Sequence, residues 1–332
     1  MPLAPLAAPL LDGRDLGSEE ASALARYLFD EAGDGEIGAA LALLARKGRS
    51  GTEIAAFARL MRERAHRVQT DLPDLVDTCG TGGGAPSFNL STAAALLAAG
   101  AGARVAKHGN RAVSSLCGSA DVLEELGVRL SDDADDLRRR LREHGLAFLF
   151  APHHHPATAK VGPVRRALGF RPIFNVLGPL LNPAGARRGV IGVYEAALVR
   201  PVAEALAELG TERAVVVHGE EGLDEVSPCV GTRWARVDDG AVTEGRWTPG
   251  DFGLAPLHSD ALRPGESRTA AAAIVREAIT DPHSPRHLAA LPTAAVALVL
   301  AGRAETLPEA AILAADGVRS GAALRKLEKL AS

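Results

Sequence analysis

From Leu75 onward the chain alternates short apolar runs with helical patterns, and few folds accept that rhythm. LVDTCG (75–80), ARVAKHG (103–109), LAFLFAP (146–152), RGVIGVY (188–194) and AVVVHG (214–219) read as buried strands. Residues 91–101, 119–127, 134–144 and 197–209 lie among them and carry helical spacing. Strands apolar on both faces and separated by helices indicate a mostly parallel α/β sheet.

Residues 18–68 have a different pattern. Ser18-Glu19-Glu20 reads as a helix start, with Leu24, Leu28 and Phe29 following at helical spacing. Gly33-Asp34-Gly35 breaks that helix, and Ile37, Leu41 and Leu44 continue on a second. Gly48 to Gly51 punctuates again, after which Thr52 is placed to cap a third helix bearing Ile54, Phe57, Leu60 and Met61. The fold class expected is therefore α/β, with a small N-terminal all-helical domain over 1–68 and a larger, mostly parallel α/β domain over 72–332. MPLAPLAAPLLDGRD reads as a loose lead-in and lacks the basic region of a secretion signal. SDDADDLRRRL reads as a solvated helix, acids first and bases later. RWARVDDGAVTEGRWTP suggests a small antiparallel excursion turning at Asp239-Gly240 and again at Glu244-Gly245. The apolar patterns beyond it read as helices covering the sheet.

Composition narrows the function. With 37 Lys+Arg against 41 Asp+Glu the net charge is −4, the wrong sign for a nucleic-acid footprint. The three cysteines have no CxxC spacing, so neither a zinc site nor a disulfide scaffold is indicated. No stretch approaches the roughly 18 apolar residues of a membrane span. A reduced cytoplasmic setting is the expectation.

The chemistry concentrates between Asp77 and Gly127. DTCGTGGGAPSFNLST sets Gly80, Gly82, Gly83 and Gly84 directly after a strand and before a helix starting near Ser91-Thr92. Such a turn exposes backbone N–H groups, and with the positive end of the next helix it seats an anion such as phosphate. It matches neither a Walker loop nor GxGxxG. The chain has only five lysines and four asparagines, yet Asn89, Lys107 and Asn110 all fall here. An ammonium can follow phosphate as a point charge, and a short amide can fix a polar substrate group.

GTGG…FNLST, KHGNRAVSS…GSADVLEELG, FLFAPHHHPA, PVRRALG, NVLGPLLNPAG and VVHGEEGLDE, in that order, resemble the anthranilate phosphoribosyltransferase family over roughly residues 20 to 330. The resemblance implies transfer of the phosphoribosyl group of phosphoribosyl pyrophosphate (PRPP) to the amine of anthranilate, in tryptophan biosynthesis. It also implies that part of 162–186 completes the helical domain and lines the interdomain cleft, and that the protein is a homodimer through its helical part. PRPP is then held by Gly80, Gly82, Gly83, Gly84, Ser87, Asn89, Leu90, Ser91 and Thr92, with Lys107 as a mobile charge and Ser114, Ser115 and Ser119 as hydroxyls. Ser119 also suits a helix N-cap. Mg²⁺ is implied as cofactor, on Ser91, Asp224 and Glu225. Anthranilate is implied against Gly80, His108, Asn110, His155 and Arg165, with Arg166, His153 and His154 at the surface. No dedicated general base is assigned, since an aromatic amine is neutral at pH 7.

The chain departs from the family pattern in its glycine loop. GTGGGAPSFNLST is one residue shorter and lacks the family's acid, and Gly84, Ala85 and Pro86 cannot ligate a metal by side chain. Leu116 and Cys117 follow Ser115 where small polar residues are frequent. Weaker inhibition by excess Mg²⁺ is the expected result. Two other readings stand beside the transferase: a pyrimidine nucleoside phosphorylase, whose Lys-Ser and Gly-Gly-Thr signatures are missing, and an inactive nucleic-acid-binding paralogue.

Overall fold

The computed structural model describes residues 3–112 and 116–332. Four helices come first: α1 (Leu3–Leu11), α2 (Ser18–Asp30), α3 (Asp34–Lys47) and α4 (Gly51–Glu63). The lead-in expected to be loose is thus a helix. Pro5 lies in its first turn, where no backbone bond is lost, and its later turns bury Ala7 and Leu10. The α4 cap is Ser50, not Thr52: the Ser50 hydroxyl accepts from Glu53 N–H, and the Glu53 carboxylate returns to Ser50 N–H. This capping box contributes about 1 kcal/mol.

The remainder runs β1 (Leu75–Gly80), α5 (Leu90–Gly100), β2 (Arg104–Gly109), α6 (Ser119–Glu125), α7 (Ala134–His144), β3 (Leu146–Phe150) and α8 (Ala151–His154). Next come α9 (Thr158–Ala167), α10 (Phe174–Leu177), β4 (Arg188–Gly192), α11 (Val199–Glu208) and β5 (Arg213–Gly219). The hairpin β6 (Thr232–Asp238) and β7 (Ala241–Trp247) precedes α12 (Arg268–Thr280), α13 (Pro285–Leu300), α14 (Leu307–Arg319) and α15 (Ala322–Ala331).

All seven strands form one sheet in the order β3-β2-β1-β4-β5-β6-β7. The first five in that order are parallel, and β6 and β7 are antiparallel. The hairpin turns at Asp239 (φ 44°) and Gly240 (φ 86°) as expected. There is no second turn at Glu244-Gly245. Gly245 lies within β7 opposite Trp234, and a Cβ there would sit 2.2 Å from the Trp234 ring. The glycine makes room for an indole across the ladder.

The strands alternate sides. Val215 and Val217 face a core shared with α5 and α12–α15, while Ala214 and Val216 face one shared with α11, β6 and the N-terminal helices. Val161, Val164, Phe174 and Leu177, from the segment after β3, pack into this second core beside Phe29 and Phe57. Arg140 of α7 is buried and donates to the Leu330 carbonyl at 2.6 Å, so that helix is less solvated than its charge order suggests. Among the described residues no helix is long and apolar enough to cross a membrane.

β1 is the pivot of this topology. The chain leaves it toward β2 and β3 on one side and returns to place β4 on the other. Open α/β sheets bind ligands at the carboxyl ends of strands around such a switch point.

Candidate active site

The carboxyl end of β1 runs straight into the glycine loop. Thr81 N–H donates to the Gly192 carbonyl at 2.8 Å and Ala85 N–H to the Gly222 carbonyl at 2.7 Å. The loop is thus held between the end of β4 and the turn after β5. Gly82 (φ 69°) and Gly83 (φ 81°) are left-handed, which L side chains avoid. Gly80, Gly84 and Gly192 are needed for closeness. A Cβ on them would approach Asp224 atoms to 2.9, 2.7 and 1.7 Å respectively. The glycines therefore let the GLDE turn press against the loop, and Asp224 and Glu225 stand beside it.

These acids are costly to ionise where they stand. Burial pushes the Glu225 carboxyl up to about 8, the neighbouring Asp224 adds to this, and Lys107 and Ser91 oppose it. Burial also raises Asp224. Lys107 is 3% exposed, its Nζ donating to the Thr78 carbonyl at 2.6 Å and the Ser91 hydroxyl at 3.3 Å. Its role as a mobile charge needs correction: the ammonium is buried and tied, close enough to favour the charged forms of Asp77 and Glu225. Two clustered carboxylates and a hydroxyl, with a cation too few to neutralise them, fit the oxygen-ligand chemistry of Mg²⁺.

The other predicted phosphate contacts are placed as follows. Ser87 is half-buried on the loop, and Asn89 stands at the α5 N-terminus with its amide donating to the Cys117 carbonyl at 3.1 Å. Leu90 buries its side chain and spends its N–H on the Phe88 carbonyl at 2.6 Å. Thr92 is buried with an unpartnered hydroxyl. Ser119 is not the α6 cap: Gly118 holds that position, the Asp121 carboxylate accepts its N–H at 2.9 Å, and Ser119 Oγ donates to the Asn110 carbonyl at 3.2 Å. Ser114 and Ser115 lie outside the described residues.

The neighbouring wall, at the end of β2, is built of histidines. His108 and His155 approach Nε2 to Nε2 at 3.2 Å, rings edge to face. His108 Nδ1 lies 3.1 Å from the Gly178 carbonyl, which only an N–H can satisfy, so His108 Nε2 is an acceptor and His155 Nε2–H the donor. Burial and the partner ring push His108 down to about 3, and burial and His154 push His155 to about 4, so both are neutral. His154 is not a surface residue: it is 3% exposed, with Nδ1 at 2.9 Å from the His66 carbonyl. Packing of the 64–68 segment over α8 covers it. Asn110 is exposed, its side-chain oxygen accepting from Arg111 N–H at 2.7 Å. Arg165 is half-buried, 5.5 Å over the Phe174 ring, with no carboxylate partner among the described residues. Arg166 is exposed.

Several residues that hold this arrangement have no motif to announce them. Asp77 accepts from His108 N–H at 3.1 Å and the Asn182 amide at 2.7 Å, and burial pushes its carboxyl up to about 6. Asp77, Cys79 and His108 offer ligand atoms within 4.8 Å of one another. Burial and Asp77 raise the Cys79 thiol and His108 is already committed to a carbonyl, so the trio suits no hard cation. Arg171 stacks 4.3 Å over Tyr194 and donates to the Gly83 carbonyl at 2.6 Å, while Arg49 reaches the Arg171 carbonyl and the Tyr194 hydroxyl. Scarcity of asparagine was the one available signal, and it pointed as well to Asn182 as to Asn110.

A helical bundle beside a parallel sheet with a glycine loop at the switch point defines a glycosyl transferase of two-part architecture. The chain matches the model of the glycosyl transferase family a/b domain over residues 72–324 and that of its helical bundle domain over 5–65. It is 47% identical to the anthranilate phosphoribosyltransferase of Alkalilimnicola ehrlichii, over 96% of this chain and 94% of that one. It is also 47% identical to that of a Roseiflexus species, over 99% and 97%. Among solved structures, the Thermus thermophilus anthranilate phosphoribosyltransferase superposes with TM-score 0.90 at 40% identity, covering 98% of both chains. The Saccharomyces cerevisiae enzyme in complex with PRPP and Mg superposes at 0.87 with 26% identity, covering 99% of this chain and 96% of that one. The chain belongs to the anthranilate phosphoribosyltransferase family. These likenesses support the transferase reading over the phosphorylase and nucleic-acid-binding ones.

Proposed function

We propose that the protein transfers the phosphoribosyl group of PRPP to the amine of anthranilate, releasing pyrophosphate, as a step of tryptophan biosynthesis. The observation that carries the reading is the meeting of the glycine loop, Lys107, Ser91 and the Asp224–Glu225 pair at the switch point, beside a wall of neutral imidazoles. One cluster suits a polyanion and the other a neutral amine.

In this reading the amides of Gly80 to Gly84 and the start of α5 at Asn89 and Ser91, with Ser87, Ser119 and the Lys107 ammonium, orient the pyrophosphate. Leu90 and Thr92, whose N–H groups bond Phe88 and Asn89, shape that turn. Ser114 and Ser115 complete the set. Ser91, Asp224 and Glu225 would hold Mg²⁺, which would supply positive charge against that developing on the leaving group. The bond at ribose C1 breaks through an oxocarbenium-like state. Gly80, His108, Asn110, His155 and Arg165 hold anthranilate, with Arg165 facing its carboxylate. The amine's lone pair needs no prior deprotonation; once it bonds C1 the nitrogen sheds a proton, which the departing pyrophosphate or solvent takes up. Neutral His108 and His155 line the pocket and hold no extra proton that would charge the amine beforehand. A homodimer formed through the helical bundle, in the cytoplasm, completes the proposal.

The test is the fall in anthranilate fluorescence on mixing protein, PRPP and Mg²⁺, with Asp224→Asn alongside. Loss of signal in the wild type, slowed on the order of a hundredfold in the variant, is the expected result. No loss at any Mg²⁺ concentration would refute the assigned reaction.

A further inference from the structure

At the end of the sheet opposite the glycine loop lies a cavity of about 200 Å³. Loop 181–187, the C-terminal end of α4 and the turn joining α11 to β5 enclose it. Arg62, Arg67 and Arg187 line it, and no carboxylate does. Nearby arginines are paired: Arg59 with Glu208, Arg64 with Asp30 and Arg188 with Glu212. The three in the cavity have no acid partner among the described residues.

Each of the three is instead aimed by a backbone carbonyl. Arg62 Nε donates to Leu180 O at 2.7 Å, Arg67 donates to Arg62 O at 3.2 and 3.1 Å, and Arg187 Nη2 to Gly210 O at 3.3 Å. Every guanidinium keeps unused N–H groups after this. Gathering like charges in a half-buried hollow is unfavourable by itself. Burial, aided by Arg67 and Arg59, pushes Arg62 down to about 10. An anion in the hollow would reverse that cost. Leu181, Pro183 and Leu209 supply apolar wall for the rest of a ligand.

We infer that this cavity is a second anion site, built for a small organic phosphate and separate from the cleft at the strand carboxyl ends. A dianion accepts several N–H bonds from forked guanidinium groups, which a monoanion satisfies less fully. The site also backs onto the acceptor pocket. Asn182 lines the cavity, and its amide donates to Asp77 and to the Ala106 carbonyl, both at 2.7 Å. Asp77 in turn accepts from His108 N–H.

Calorimetric titration of the full chain with phenyl phosphate tests this, on wild type, on Arg67→Gln/Arg187→Gln and on Lys107→Gln. Both arginines are exposed, so the double variant keeps its melting temperature and its transferase rate. The wild type is expected to bind at two sites. The arginine variant should lose one, weakened about tenfold or more, and Lys107→Gln should retain that one. Benzoate should bind this site about tenfold more weakly than phenyl phosphate. Unchanged phenyl phosphate binding in the arginine variant, or its complete loss in Lys107→Gln, would overturn the site, and benzoate binding equally well would overturn its assignment to a dianion.

Discussion

His155 donates its Nε2–H to Nε2 of His108 across 3.2 Å, and both rings are buried. Both rings stay neutral well below the pH at which a free histidine charges, to about 3 and about 4. The unfolded chain takes up those protons below pH 6.5 and the native chain does not. The pair's contribution to stability is therefore full above about 6.5 and is lost as pH drops toward the folded values, by up to about 1.4 kcal/mol per pH unit for each excess proton. Asp77, raised to about 6, and Glu225, raised to about 8, act the opposite way, each adding stability as pH falls from its folded value toward its unfolded one. Urea unfolding of wild type and His155→Gln at pH 8, 6 and 5 should therefore show the stability difference between them unchanged from 8 to about 6.5 and shrinking below that. A difference between the two proteins that does not change with pH would refute the neutral pair.

Gly192 and Gly82 separate closeness from backbone strain. A Cβ at Gly192 would lie 1.7 Å from the Asp224 carbonyl oxygen, while at Gly82 it meets nothing within 4 Å and only φ resists. Gly192→Ala should cost about 1–3 kcal/mol and raise the Mg²⁺ requirement by displacing Asp224. Gly82→Ala should cost about 1 kcal/mol and raise the Mg²⁺ requirement less than Gly192→Ala, since it reaches Asp224 only through the Gly82 N–H. Melting temperatures and Mg²⁺ titrations check both, and equal Mg²⁺ effects would contradict the distinction.

Arg171 ties the glycine loop to the segment before α10 through Gly83, and Arg49 anchors Arg171 from the mouth of α4. Arg171→Gln loses the charge-assisted bond and the stack on Tyr194. The KM for PRPP should rise about tenfold, with the KM for anthranilate within twofold. A rise in the anthranilate value instead would place Arg171 in the acceptor pocket.

The loop residues Gly84, Ala85 and Pro86 offer no side-chain ligand, so excess Mg²⁺ should inhibit this enzyme less than a relative with aspartate in the loop. Rates measured across Mg²⁺ concentration decide it. A profile matching that relative's would rule the loop out as the cause.

The parallel strands were legible because each is a short, mostly apolar run between helical patterns, and the anion seat because glycine and scarce lysine coincide there. What escaped depended on distant packing. Gly245 looks like a turn until Trp234 is known to lie across from it. His154 looks exposed in a histidine run until His66 covers it. Lys107 looks like a reaching cation, and only the positions of Thr78, Asp77 and Glu225 make it a buried one. Asp77 reads as an ordinary strand residue, yet it positions His108 through a main-chain bond, which no side-chain motif records.

The contact between Gly192 and Asp224 also limits how this enzyme can diverge. The end of β4 and the GLDE turn interlock at a spacing that admits no side chain, so neither can drift while the other stays. A lineage that gains bulk at 192 must rebuild 222–225 in the same stroke, and with it the acids proposed for the metal. Of the residues proposed for the acceptor, Gly80 shares this interlock, while His108, Asn110, His155 and Arg165 sit on other segments. New acceptors are therefore within easy evolutionary reach, while a new donor is not.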